Sequence, residues 1–461
     1  MSMTRSLFVA SALALLVAGC GGGGGDGTPA AGGGNEPPAP PPTTPTTPTT
    51  PTTPVTPTAP TENLAREIVA TALTVDISAS TGIAIVTLGA SASAGATLEI
   101  GDLEITDVAL NGTPLPWTDR GDRLDLGLPA AAAESVVTIR YRFKPHSDFD
   151  GANPAGFTFT WPYYCGNLFP CHSQPADGAS FTLAASNPPA GQRIVQAAGP
   201  IAEAPAYQVA WAVGDYADLD LGRTTAGTRL IASYLPGQLN AMQQGTQYLK
   251  AAFDWMETNI GPYRFGNEAG PVSVRWGAGA FGGMEHHPRW HIGTTALSNV
   301  DTHVHEAAHG WYGDGVRLAC WEDLALSEGT ASYLSARVLE AVAPGAGAEV
   351  WASYAAELRG LKPEQPVWPA GCNRIDVVRD GLYSRAPYVR GALFYRALAM
   401  KLGTPAVDKV LQRFYRRYAG SAAGMQDMLD TVKAETGYDP AVCAARWLRT
   451  AEVPAALAAC P

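Results

Sequence analysis

His305-Glu306-Ala307-Ala308-His309, followed after 18 residues (310 to 327) by Glu328, decides how this 461-residue chain is read. Two histidines four apart on a helix differ by about 40° around its axis, so both imidazoles reach toward one ion. Glu306 lies between them in sequence and projects to one side, where it can hold a water on that ion. Glu328, on a second helix, supplies a third ligand. Two neutral nitrogens and one carboxylate suit Zn²⁺, one per chain. Three protein ligands leave a fourth position open, the pattern of a catalytic rather than a structural site.

Other pieces fall in a workable order around this core. Gly282-Gly283-Met284-Glu285 precedes it on a strand, and Tyr388 follows within Ala386-Pro387-Tyr388-Val389-Arg390-Gly391-Ala392. Together these resemble the aminopeptidase N (membrane alanyl aminopeptidase) family of gluzincin zinc metallopeptidases. Gly-x-Met-Glu-Asn corresponds to Gly282 to His286, the zinc motif to His305 through Glu328, and Tyr-x-(Lys/Arg)-Gly to Tyr388 to Gly391. Leu168-Phe169-Pro170-Cys171, with Gln174-Pro175 after it, resembles a further signature at the end of that family's first β domain. The resemblance runs from about residue 64 to the C-terminus. It implies an α+β fold, with an N-terminal antiparallel β-sandwich-like domain over 62–218 and a thermolysin-like, mainly helical catalytic domain over 219–461.

The residue types imply a mechanism. Zinc lowers the pKa of a bound water from about 15.7 towards roughly 7, and Glu306 is placed to take its proton. The Tyr388 hydroxyl would stabilise charge on a polarised peptide carbonyl. The resemblance gives Glu285 the free α-ammonium of the substrate, with Gly282, Gly283 and Met284 beside it on the substrate-binding strand. The expected activity is removal of N-terminal residues from peptides. The alternatives are a gluzincin endopeptidase with an open cleft and a non-catalytic, zinc-containing surface binding lipoprotein.

Three departures bear on this expectation. His286 stands where the family has Asn. Trp161 falls, counting back from Pro170-Cys171, near a Gln or Glu that helps bind the amine. The long helical C-terminal domain of many members is not read in this sequence, which should leave the cleft more open. Among other polar residues, His303 points about 160° from His305 and off the metal. His286, His287 and His291 are expected to line the cleft, and Asp380 and Tyr383 to face the pocket for the first substrate side chain. Arg413, Arg416 and Arg417 read as a solvated helix face.

The N-terminal half carries short alternating runs at Ile83 to Leu88, Leu98 to Val108 and Val136 to Phe143, broken by turns such as Asn111-Gly112. After Arg223 the pattern changes. Thr228 to Tyr234 and Val272 to Trp276 read as strands, and Gln238 to Glu257 as one amphipathic helix. Ser298 with Asp301 offers a capping box for the first zinc helix. Leu324 to Val342 is the second, with Leu334, Val338 and Val342 inward and Gly329 marking a close neighbour beside Glu328. From Tyr388 to the end the chain reads as helical.

Residues 1–19 resemble a lipoprotein-type signal peptide, with Arg5 before an apolar run from Leu7 to Val17 and a lipobox ending at Cys20. Lipidation at Cys20 would anchor the chain to a membrane. Residues 20–61, Gly-rich and then Thr/Pro-rich, read as a disordered tether whose Pro37 to Pro60 stretch extends roughly 75 Å. This places the protein in a bacterial cell envelope, on the periplasmic or cell-surface side, and on the outer membrane where there is one. The other six cysteines are expected to pair as Cys165 with Cys171, Cys320 with Cys372 and Cys443 with Cys460. A formal net charge of -11 and no Lys/Arg-rich run argue against nucleic acid as a partner. Peptides are the expected partners, and no protein partner is predicted.

Overall fold

Along Thr81–Leu88 the residues Ala84, Val86 and Leu88 are fully buried while Ile85 is exposed, the alternation of a sheet with one covered face. The computed structural model describes residues 56–277, 281–362 and 365–461. The signal peptide, Cys20 and most of the expected tether lie outside these. The end of that tether does not hang free: the Thr58 amide donates to the Gly127 carbonyl at 2.9 Å and its hydroxyl to Leu128 at 3.0 Å.

Thr81–Leu88 sits in a seven-stranded sheet. Its strands run in the order Ile201–Ala204, Ala179–Ser186, Ile68–Asp76, Thr81–Leu88, Ser135–Arg142, Glu104–Leu110 and Thr113–Pro114. Ile68–Asp76 and Ala179–Ser186 are parallel, so the sheet is mixed rather than wholly antiparallel. A three-stranded sheet (Ala96–Glu99, Arg123–Leu126, Trp117–Asp119) contributes Leu98, Leu124 and Leu126 to the same core. The run expected as one strand from Leu98 to Val108 is therefore two strands in two sheets. Gly101, at φ +48°, turns the chain between them, and a side chain there would meet the backbone of Gly166 and Asn167 at 2.8 Å. Asn111 and Gly112, at φ 49° and 82°, form the tight hairpin their sequence calls for.

A four-stranded sheet (Arg193–Gln196, Trp211–Gly214, Phe157–Phe159, Gly151–Asn153) faces two ways. Trp211 and Val213 pack into the β core, whereas Phe157, Phe159 and Trp161 pack into the larger core of the C-terminal half. Arg317 adds a polar tie, donating to the carbonyls of Ala176, Glu203 and Gly420. Val55–Pro461 accordingly forms one compact unit.

In the C-terminal half, strands Ala217–Arg223, Arg229–Tyr234, Val272–Val274, His291–Gly293 and Gly283–Met284 form a mixed sheet, Gly283–Met284 at its edge. The helices are α1 (Leu239–Thr246), α2 (Leu249–Asn259), α3 (Val300–Ala308), α4 (Leu324–Val342), α5 (Pro344–Gly360), α6 (Arg385–Leu402), α7 (Thr404–Tyr418) and α8 (Met425–Thr436). The single helix expected over Gln238 to Glu257 is broken into α1 and α2 at Tyr248, φ -108° and ψ -2°. Gly245 and β-branched Thr246, both poor helix formers, precede the break. Helix α3 is capped by Asn299, whose side chain accepts from the Thr302 amide at 3.1 Å, and not by Ser298. Asp301 therefore takes no part in a capping box. It lies in the first turn of α3, where its carboxylate accepts from the hydroxyls of Ser335 and Tyr354.

Helix α4 is buried almost all round, with Leu334 and Val338 fully covered and Val342 partly so, and it is flanked by α3, α5 and α6. Helical structure does not continue to the C-terminus. After α8 come a short helix, Ala441–Ala444, one wide turn to Arg449, and chain without helix. The three cysteine pairs 165–171, 320–372 and 443–460 are disulfide-bonded. Among the described residues no helix is long and apolar enough to cross a membrane.

Candidate active site

The last turn of α3 and the first turns of α4 face each other across the core, which brings three ligand atoms together. His305 Nε2 lies 3.2 Å and His309 Nε2 3.4 Å from Glu328 Oε2, and the two nitrogens are 3.1 Å apart. The outward nitrogens are held by other groups. His309 Nδ1 faces the Tyr312 carbonyl at 3.0 Å, and His305 Nδ1 faces Ser332 Oγ at 3.4 Å. A ring that donates from Nδ1 presents a lone pair at Nε2, and both lone pairs converge beside one carboxylate. This donor set and its orientation fit zinc.

The protein's own groups polarise the site strongly. Burial works against ionisation of Glu328, but facing His309 and His305 hold its carboxyl well below the usual range. Burial opposes a charge on His309 as well, and Glu328 and Glu285 nonetheless push its pKa well up. Glu306 is pushed well up by burial, opposed by His309 and reinforced by Glu285 and Glu328. Glu285 is raised to about 7, mainly by burial.

Edge strand Gly283–Met284 runs alongside α3. Gly282 is next to Thr302, Gly283 is next to Glu306, and the ligand atoms of Glu285, Glu306 and His309 all lie within 4.8 Å of one another. A side chain at Gly283 would sit 2.6 Å from Glu306 Cδ, so only glycine lets the strand come this close to the carboxylate. Strand, triad and Tyr388 line a cavity of about 370 Å³, to which Gly282, Gly283, Met284, Glu285, His305, Glu306, His309 and Glu328 all contribute. The Tyr388 ring stacks on His305 with centroids 5.6 Å apart. Burial, followed by Glu328, raises its hydroxyl well above the ordinary value, so it remains a proton donor.

Trp161 lines the same cavity, packed on Tyr383 at 4.7 Å, and Phe281 meets Tyr383 from another side at 5.2 Å. Asp380 does not face it. That carboxylate lies in a solvated turn, paired with Arg379 and accepting from the Asp376 amide. Nor do the three neighbouring histidines line the cavity. His286 and His291 are buried behind the edge strand against Phe159 and Trp276, and His287 is held between the Tyr263 hydroxyl and the Glu306 carbonyl, each 2.8 Å away. Burial drives all three pKa values down, to about 3 for His286 and His287. His303 is turned away from the triad to the Leu297 carbonyl at 2.8 Å. Arg413, Arg416 and Arg417 are exposed on α7.

Several residues were invisible to motif reading. Asp301, one turn before His305, lines the cavity, a position the helical spacing could have suggested. Arg385, at the start of α6, lines it too, its Nε held by Glu357 at 2.9 Å and its guanidinium 5.0 Å from the Tyr388 ring centroid. Fully buried Asp314 accepts from the Tyr207 hydroxyl at 2.9 Å behind Glu285. No local pattern could link two residues 107 positions apart.

Residues 286–447 match the model of the peptidase family M1 domain. Leucine aminopeptidase 2 of Neurospora crassa is 22% identical over 394 residues, which cover 74% of this chain and 57% of that protein. Aminopeptidase N of Streptomyces lividans is 30% identical over 162 residues, 33% of this chain and 18% of that one. The chain thus spans less than two thirds of these relatives. The fold is that of an M1 zinc metallopeptidase from Deinococcus radiodurans, with a TM-score of 0.72 at 21% identity over 85% of this chain and 96% of the other. A mutant of that protein bound to a Tyr-Ser-Ala substrate superposes with a TM-score of 0.74 at 19% identity, over the same shares of the two chains.

Proposed function

We propose, from the premise that this chain carries an M1 peptidase domain of the aminopeptidase N type, that it is a zinc-dependent aminopeptidase removing N-terminal residues from peptides. The observation that carries this reading is the convergence of Glu285 and Glu306 on His309 within 4.8 Å. One carboxylate can hold an α-ammonium while the other handles protons at the next peptide bond.

Held by His305, His309 and Glu328, one zinc ion per chain would polarise the substrate carbonyl and lower the pKa of a water towards roughly 7. Glu306 would take a proton from the attacking water and return it to the departing amine. The Tyr388 hydroxyl donates to the carbonyl oxygen as charge gathers there. Edge strand Gly283–Met284 offers backbone groups to an extended peptide and so fixes its register. Trp161 presents no acceptor for an ammonium, which leaves capture of the amine to Glu285.

The test uses amino-acid chromogenic amides and paired peptides with free and acetylated N-termini. Hydrolysis should be confined to free N-termini, should stop on zinc chelation, and should fall at least about a hundredfold in Glu306→Gln with zinc still bound. Equal cleavage of acetylated peptides would favour an endopeptidase. A zinc-loaded protein without hydrolysis would return the reading to a binding lipoprotein. Tethering through Cys20 to a bacterial cell-envelope membrane is part of the proposal and rests on the sequence of residues 1–61.

A further inference from the structure

The edge strand gives the cavity a direction. Along α3, Glu285 lies beside His309 at one end and Gly282 beside Thr302 at the other. From residue 302 to residue 309 a helix rises about 10 Å. A peptide whose α-ammonium rests on Glu285 therefore runs from the His309 end towards the Thr302 end, with its leaving-group side at the start of α3.

Arg385 stands in the wall of that cavity together with Asp301 and Thr302. Glu357 fixes the guanidinium through Nε at 2.9 Å, and the Tyr388 ring supports it at 5.0 Å. Its two Nη groups have no hydrogen-bond partner among the described residues. Arg385 is also the one Lys or Arg lining the cavity among the described residues. The Asp301 carboxylate, close enough to feel the Arg385 charge, accepts from Ser335 and Tyr354, and the Arg385 side chain is half exposed at the cavity rim. A tripeptide extends over about 10 Å, comparable to the rise of α3 between residues 302 and 309.

We propose that Arg385 binds the C-terminal carboxylate of short peptides, making tripeptides the preferred substrate class of this site. A fork of Nη donors matches a carboxylate in geometry and charge, whereas a carboxamide offers one neutral acceptor. Longer peptides would carry an uncharged peptide group past Arg385 and forgo this contact. Arg385 is thus a specificity residue: it touches the substrate's far end and takes no part in bond cleavage. The inference rests on the aminopeptidase reading.

The experiment compares tri-alanine with its C-terminal amide, and with di- and penta-alanine, in the zinc-loaded protein and in Arg385→Gln and Arg385→Lys. The wild type should favour the tripeptide acid over its amide by about tenfold or more in kcat/KM. Arg385→Gln should abolish that ratio, the acid losing through KM by much more than the amide changes, and Arg385→Lys should restore part of it. Calorimetry with Glu306→Gln should show the same acid-over-amide preference in binding, without turnover. Equal treatment of acid and amide by the wild type, or an equal loss on both in Arg385→Gln, overturns the role of Arg385. An alanine chromogenic anilide, which has no terminal carboxylate, separates the two readings. Its hydrolysis without acid preference discards the Arg385 inference alone, and its resistance discards the aminopeptidase reading beneath it.

Discussion

Gly329 on α4 and Gly391 on α6 meet backbone to backbone: a methyl on Gly329 would lie 2.6 Å from Gly391 Cα. This contact holds together the helix bearing Glu328 and the helix bearing Tyr388. Gly329→Ala must push the two apart, since neither backbone can step aside as a side-chain tip would. Overpacking of this kind costs about 1–3 kcal/mol. Denaturant unfolding should show that loss, and kcat should fall while zinc content stays near wild type.

Tyr388→Phe removes one hydroxyl and keeps the stacking on His305. Loss of a donor aimed at developing charge lowers kcat by about 10²–10³ with little change in KM. Because burial and Glu328 hold this hydroxyl well above its ordinary pKa, the wild-type rate should show no alkaline decline from Tyr388. Steady-state kinetics across alkaline pH checks both points.

Asp323 gives the stability a pH dependence separate from the metal. Its Oδ1 accepts from the Trp368 indole and the Met425 amide, each at 2.9 Å, but burial dominates and raises its pKa to about 6. An acid whose pKa is raised on folding contributes stability in its protonated form. That contribution is full below the unfolded pKa of about 3.9 and is lost as pH rises through 6. A shift of this size corresponds to about 2–3 kcal/mol. Asp323→Asn keeps the Oδ1 acceptor and removes the ionisation, so its melting temperature should gain on wild type between pH 4 and 6. A constant difference across that range would exclude Asp323 as the source.

Cys20→Ser should release the protein from membranes. Fractionation of cells expressing each form, with labelled palmitate to follow acylation, checks this. Wild type found wholly in the soluble fraction and unlabelled would remove the anchor from the proposal.

The chemistry was legible because it is local. A four-residue spacing puts His305 and His309 on one face of α3, and the 18-residue step to a second helix marks Glu328 as the third candidate ligand. What escaped depends on chain segments far apart in sequence. Strand alternation does not reveal that His286, His287 and His291 lie behind the edge strand, since burial there comes from Phe159, Tyr263 and Trp276. Asp380 resembled a pocket residue by proximity to Tyr388, yet the Asp376 turn directs it to solvent. Gly101 reads in sequence as a weak interruption of one strand. Only the pairing of the strands on either side shows that the chain passes into a different sheet there.

The aromatic wall of the cavity is assembled from Trp161, Phe281 and Tyr383, three segments spread over more than two hundred positions of the chain, while the ligands and Glu306 sit on two helices close in sequence. Inheritance can therefore treat the two separately. Under the proposed function, single changes in that wall, none of them at a candidate zinc ligand, would alter which side chain fits while leaving Glu306 and the three candidate ligands in place. Trp161 enters that wall from the β half, so a region that supplies no candidate ligand would still help decide which residue is removed.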